Sequence, residues 1–188
     1  MMNPNQYYNQ YQNPVNPVCN PMQMQMALTR ITKEFQLCKQ DNDLIQIGCS
    51  FGLEDNNNVF VWKVTMLGPR NTPYDGGLFT INVAFPWDYP NHGPEFKFKN
   101  KIYHLNVDMK NDFGHICINS LNEWKGTGRV TGKPVYTVKQ ALFDIFCLFY
   151  NQGIESAYDE NMKNLYVNNP AQFAQEAQNW TKQFASLC

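Results

Sequence analysis

Val59-Phe-Val-Trp-Lys-Val-Thr-Met-Leu67 and Leu78-Phe-Thr-Ile-Asn-Val-Ala-Phe85, joined through a stretch that ends in Asp75-Gly-Gly77, decide the fold class of this chain. Both are dense in β-branched and aromatic residues, which suit a pleated, half-buried surface. Asp55-Asn-Asn-Asn58, Gly68-Pro69 and Asp75-Gly-Gly77 bound them with turn formers, so the pairing reads as antiparallel. Working outward, Leu44–Ile47 reads as a preceding strand and Glu95–Phe98 as a fourth, giving a four-stranded antiparallel meander. Upstream, Leu28, Ile31, Phe35 and Cys38 recur with a helical period, with Arg30, Lys33, Glu34 and Lys39 between them. That spacing predicts an amphipathic helix opening the domain at Ala27. Downstream, Thr137 reads as a cap for an apolar helix over Val138–Phe149, and two C-terminal helices follow around Glu160–Val167 and Ala171–Leu187. Helix, strands, a long irregular stretch and then helices make an α+β domain over residues 27–188.

Residues 1–26 have another texture. They hold six Asn, five Gln and four Pro and no charged residue, so they read as a disordered tail, with docking of a partner as the other use of such a segment. The whole chain of 188 residues carries 15 Lys+Arg against 16 Asp+Glu, a net charge of −1. That balance lacks the basic footprint of a nucleic-acid-binding domain. With no apolar run of about 18 residues and no basic-then-apolar leader, the expectation is a protein of the cytoplasm or nucleus that does not enter a membrane.

Between Lys99 and Lys133 periodicity fails while Gly, Asn and Asp recur, which in a compact domain marks a functional segment. His104, His115 and Cys117 fall inside it, and Asn111-Asp-Phe-Gly114 supplies a turn just before Cys117. Six scattered cysteines (Cys19, Cys38, Cys49, Cys117, Cys147, Cys188) show no metal-ligand rhythm and read as free thiols in a reducing compartment. Flanked by Ile116 and Ile118, Cys117 is either a small buried hydrophobe or a nucleophile. A zinc site from His104, His115 and Cys117 lacks a fourth ligand at usual spacing, and no cofactor is implied. A Cys-His hydrolase would need one of these histidines as base and a further orienting group.

Nine short motifs in register go beyond residue chemistry. Ala27-Leu-Thr-Arg-Ile31, Phe60-Val-Trp-Lys63, Leu67-Gly-Pro69, Thr72-Pro-Tyr-Asp-Gly-Gly77, Phe85-Pro with Asp88-Tyr-Pro90, Ile102-Tyr-His-Leu-Asn106, Gly114-His-Ile-Cys117 and Trp124 follow one another in the order seen in ubiquitin-conjugating enzymes. From Ala27 to the C-terminal helix the chain resembles that family. The resemblance implies a transferase of an ATP-dependent pathway, in which Cys117 takes ubiquitin or a ubiquitin-like protein from an activating enzyme as a thioester. The modifier then passes to a substrate lysine or to a ubiquitin ligase. A thiol suits this step, being the best side-chain nucleophile near neutral pH. The alternative is a binding scaffold that keeps the fold without the transfer.

In the family's His-Pro-Asn motif the asparagine steadies either the oxyanion or the loop beside the cysteine, and the histidine is structural. Here the motif reads His104-Leu105-Asn106, which keeps the amide but loses the ring that locks the backbone. Asn119 stands two residues after the cysteine where relatives often carry aspartate, and Ser156, or else Glu155, takes the gate position after the apolar helix. Arg30 and Lys33 on the first helix match the basic contacts of relatives with activating enzyme and ligases. Asn91 and the insertion Lys125–Pro134, with Lys125 and Arg129, change the ligase-facing surface. The expected catalytic set is therefore Cys117, Asn106 and Ser156, supported by His104 and Asn119, with Arg30, Lys33, Asn91, Lys125 and Arg129 as partner contacts.

Overall fold

The computed structural model describes residues 20–118, 121, 124 and 136–186. Helix α1 spans Pro21–Gln40, so it starts before Ala27. The Asn20 side chain accepts a hydrogen bond from the Met22 N–H at 3.0 Å, and Pro21 takes the first turn, where a missing N–H costs nothing. Met24 packs against the core from this added turn, which the Asn/Gln-rich composition conceals. Residues 1–19 of the expected tail lie outside the described residues.

Leu44–Ile47 is not a strand. Asp41 caps a short helix α2, Asn42–Gln46, accepting from the N–H groups of Asp43 and Leu44. Of its apolar residues Leu44 is buried and Ile45 exposed. Gly48, at φ 79°, then turns the chain into the true first strand, β1, Cys49–Leu53. Strands β2 (Val61–Leu67), β3 (Leu78–Ala84) and β4 (Glu95–Phe98) lie where the residue patterning puts them. Two more, β5 (Val107–Asp108) and β6 (His115–Ile116), complete a six-stranded antiparallel sheet in the order β1-β2-β3-β4-β6-β5. A strand of two residues has no period to detect, so both arise inside the stretch that reads as irregular.

Register gives the sheet one dry face. Trp62 lies opposite Val83, Val64 opposite Ile81 and Met66 opposite Phe79, and Phe98 and Phe96 continue the rows beside Ile81 and Val83. All are buried, because alternate side chains point to the same side. Helix α1 covers this face with Ala27, Ile31 and Phe35, the Phe35 ring meeting Trp62 edge-on at 5.0 Å. Helix α3, Val138–Leu148, adds Val138, Ala141, Leu142 and Ile145, its N-terminus capped by Thr137 as the sequence predicts. Helices α4 (Glu160–Asn168) and α5 (Pro170–Phe184) close the C-terminal end, where the Leu78 N–H donates to the Ala185 carbonyl at 2.7 Å.

A buried carboxylate ties the helices together. Glu34 of α1 takes the Arg30 guanidinium at 2.8 Å, the Tyr89 hydroxyl at 2.7 Å and the Val138 N–H at 3.3 Å. Three donors, one of them charged and one at a helix N-terminus, offset a desolvation that would otherwise be prohibitive. Arg30 is therefore committed to the fold.

Gly114, at φ 80°, lies where a Cβ would sit 1.9 Å from the Phe98 carbonyl oxygen. Gly114→Ala should lower stability by more than the roughly 1–2 kcal/mol of left-handed backbone alone, since β4 must also move. Thermal denaturation checks this, and a melting temperature within a degree or two of the parent would refute it.

Candidate active site

The β5–β6 hairpin builds the site. Val107 faces Ile116, and the next pair outward is Asn106 and Cys117, whose backbone N–H donates to the Asn106 carbonyl at 2.9 Å. The connecting turn is wound around Asp108. Its buried carboxylate accepts from the N–H groups of Lys110, Asn111 and Asp112 at 2.8 to 3.1 Å. Burial alone would raise the Asp108 pKa, but these donors outweigh it and hold the carboxyl below its ordinary value. A turn rich in Asn, Asp and Gly thus brings two residues eleven positions apart side by side.

Asn106 is wholly buried and every polar position of its amide is used. Its Nδ2 donates to the carbonyls of Gly153 at 2.7 Å and Ser156 at 3.2 Å, and its Oδ1 accepts from the Gly153 N–H at 2.8 Å. The amide is therefore occupied in holding the segment after α3, which includes a single 3-10 turn at Ile154–Ser156. Ser156 reaches this constellation through its backbone carbonyl, while Glu155 is exposed.

His104 has no capacity left for acid–base work. Its Nε2 faces the Leu148 carbonyl at 3.1 Å and its Nδ1 accepts from the Asn106 N–H at 3.0 Å, an arrangement that needs the neutral ring with the proton on Nε2. Burial lowers its pKa to about 4 despite the carbonyl. This histidine is a spacer between α3 and the asparagine, and neither a zinc ligand nor a hydrolase base. Because the unfolded chain takes up a proton that the folded one refuses, stability should fall as pH drops from about 6.5 towards 4, by roughly 3 kcal/mol at about 1.4 kcal/mol per pKa unit. Urea unfolding of the parent and His104→Gln across that range isolates the contribution from that of the carboxylates. Parallel curves would show that the imidazole does not carry it.

Around Cys117 the structure adds a residue that patterning does not reveal. Tyr158 donates its backbone N–H to the Leu105 carbonyl at 2.9 Å, and its hydroxyl lies 2.6 Å from His115 Nδ1. Partial burial, then the nearby Cys117 and Asp108, push that hydroxyl up to about 12, which places it next to the thiol as a neutral phenol. Nothing in a Ser-Ala-Tyr-Asp stretch signals this, since the hairpin that receives it lies some forty residues upstream.

The described cysteines differ sharply in setting. Cys38 and Cys49 are buried, and desolvation pushes each thiol up to about 12. Cys147 is exposed, on the solvent side of α3 and not on its apolar face. Cys117 is half-buried beside Asn106. Of the expected partner contacts, Lys33 and Asn91 are exposed, and Arg30 is paired with Glu34. Asn119, Lys125 and Arg129 lie outside the described residues, as does the insertion at 125–134. Its flanks are held together, with the Trp124 and Tyr136 rings meeting edge-on at 5.1 Å. Among the described residues no helix is long and apolar enough to cross a membrane.

Comparison with known proteins agrees with this geometry. A family model described as ubiquitin-conjugating enzyme matches residues 30–181. The chain is 34% identical over 160 residues to an Arabidopsis thaliana protein named probable ubiquitin-conjugating enzyme E2 31, covering 85% of this chain and 94% of that one. It is 33% identical over 159 residues to ubiquitin-conjugating enzyme E2 1 of Schizosaccharomyces pombe, covering 84% of this chain and 66% of that protein. Among solved structures, the E2 domain of a Toxoplasma gondii ubiquitin conjugating enzyme superposes with a TM-score of 0.68 at 29% identity, covering 85% of this chain and 99% of that one.

Proposed function

Since the chain belongs to the ubiquitin-conjugating enzyme family, we propose that it accepts ubiquitin or a ubiquitin-like modifier from an activating enzyme as a thioester on Cys117 and passes it to a lysine or to a ligase. The observation that carries this reading is the pairing of Cys117 with Asn106 at the mouth of the β5–β6 hairpin, while the thiols of Cys38 and Cys49 are buried and raised.

In loading, the Cys117 sulfur attacks the modifier's C-terminal carbonyl, a new C–S bond forms, and the activating enzyme's thiolate leaves. In discharge, a lysine amine attacks the same carbon, a C–N bond forms, the Cys117 thiolate departs and the amine loses its surplus proton. Each step is an acyl transfer with no change of oxidation state, so no redox or metal cofactor is called for. His104, neutral and doubly engaged, is not the proton acceptor. Of the two roles open to Asn106, its full engagement with Gly153 and Ser156 supports the loop-holding one. Lys33 and Asn91, both exposed, are the contacts best placed to meet activating enzyme and ligase, with the basic insertion at 125–134 altering ligase choice. Action in the cytoplasm or nucleus fits a chain that relies on a reduced thiol.

The test is incubation with ATP, matched activating enzymes and a panel of modifiers, read on a non-reducing gel. A band at the summed mass that vanishes with reducing agent is expected. Its absence with every modifier, in a folded protein, would favour the binding scaffold.

A further inference from the structure

The three residues that lead into Asn106 are held by a side chain that neither motif nor patterning singles out. Leu105 is wholly buried, and a peptide N–H in such a place must find a partner inside the protein. It donates to Gln152 Oε1 at 2.8 Å. The other end of the same amide, Gln152 Nε2, donates to the Tyr74 hydroxyl at 2.8 Å, and that hydroxyl donates to the Tyr103 carbonyl at 2.8 Å. The path returns to the strip it left, so Tyr103 and Leu105 are clamped on either side of His104 by one closed ring of hydrogen bonds. Gln152 and Tyr74 are both buried, which keeps water from substituting for either. The next residue along, Gly153, clasps the Asn106 amide through its own N–H and carbonyl. Two adjacent residues of one segment therefore grip two adjacent residues of the other, one through a side chain and one through the backbone.

We propose that Gln152 is a positioning residue of the transfer site: its amide fixes the backbone at Leu105 by hydrogen bonding, where a proline ring would fix it covalently, and so aims Asn106 and the segment beside Cys117. This rests on the transfer reading for its consequence but not for its structural content. The His-Leu-Asn sequence has an N–H that a proline at position 105 would lack, and Gln152 is the group that accepts it. Leucine at 105 and glutamine at 152 thus form one device. Removing the glutamine alone strands a buried donor, whereas removing the donor as well makes the glutamine dispensable.

The experiment is a double-mutant cycle of Gln152→Leu and Leu105→Pro. Amide exchange of Leu105 in Gln152→Leu is read first, with Val64 and Ile81 in the sheet centre as references. A loss of protection of about tenfold or more at Leu105, with the references unchanged, is expected for one lost buried hydrogen bond. Single-turnover discharge of loaded Cys117 to free lysine is read next. Gln152→Leu should slow discharge by about tenfold while loading changes less than about threefold, and in the Leu105→Pro background the same substitution should matter less than about threefold. Unchanged protection of Leu105, or an equal effect of Gln152→Leu in both backgrounds, would overturn the proposal. If no modifier loads at all, the transfer reading fails while the exchange measurement still decides the clamp. Should Leu105→Pro not fold, the exchange result and the split between loading and discharge in Gln152→Leu decide it.

Discussion

Cys117→Ser, presented with activating enzyme, ATP and a reactive modifier, is expected to hold the modifier as an oxyester that survives reducing agent, and Cys117→Ala to hold none. An alkoxide is a poorer leaving group than a thiolate and an ester exchanges slowly with thiols, so the same acyl bond changes from labile to persistent. The remaining described cysteines are internal controls with distinct expectations. Cys147 is exposed, so Cys147→Ser should load like the parent with unchanged stability. Cys38 and Cys49 are buried among apolar side chains, so Cys38→Ser and Cys49→Ser should each lose about 1–3 kcal/mol for an enclosed hydroxyl and still load once folded. Intact mass after loading reads every one of these variants, whichever modifier is the native one. A thiol-sensitive adduct on Cys117→Ala, or failure of folded Cys38→Ser or Cys49→Ser to load, would transfer the nucleophile elsewhere.

The second large effect is expected at Asn106, and there the isosteric substitution should be worse than truncation. Asn106→Ala takes their Asn106 partner from the Gly153 N–H and the Ser156 carbonyl, while the Gly153 carbonyl keeps the Ser156 N–H at 3.1 Å, a loss of about 1–3 kcal/mol. Asn106→Asp keeps the acceptor for the Gly153 N–H but turns a carboxylate oxygen towards the carbonyls of Gly153 and Ser156, in a place with no solvent exposure. Repulsion is then added to desolvation, and Asn106→Asp should be the less stable of the two at neutral pH and recover part of the deficit on acidification, when the carboxyl regains a donor. Both variants release the segment that carries Ser156 and Tyr158, and a displacement of about an ångström at such a site costs on the order of 10²-fold in rate. Discharge to free lysine should therefore slow by about that factor, with loading less affected because the incoming thioester is delivered by another enzyme. Asn106→Asp as stable as Asn106→Ala across pH, or normal discharge from either, would mean that the amide does not hold this segment.

The neutral His104 bears on the same question from the other side. A buried imidazole that bonds Leu148 and Asn106 at once spaces α3 from the hairpin, so its loss is a stability effect and not the removal of a base. Ser156, by contrast, touches Asn106 through a backbone carbonyl that any residue would supply. Its hydroxyl is thus the part of the expected catalytic set most open to substitution.

What residue patterning determined was local. Alternation in Val61–Leu67 and Leu78–Ala84 requires one buried face, the period of Leu28, Ile31 and Phe35 requires a helix to cover it, and Thr137 starts the second covering helix where its hydroxyl meets a free N–H. The order of motifs carried the family, and the proposal of Cys117 as nucleophile rests on the same order. Where local signals competed, the reading slipped: Leu44–Ile47 has apolar density but no alternation of burial, and the cap at Asp41 turns it into helix. Tertiary structure alone decided which groups each of these residues meets. Asn106 and Gly153, Leu105 and Gln152, and His115 and Tyr158 are more than forty positions apart in sequence and meet because the hairpin and the segment after α3 pack against each other. A hydrogen bond formed across such a gap leaves no periodicity in the chain, since its partners are chosen by the burial of a donor that needs an acceptor and not by the residues next to it.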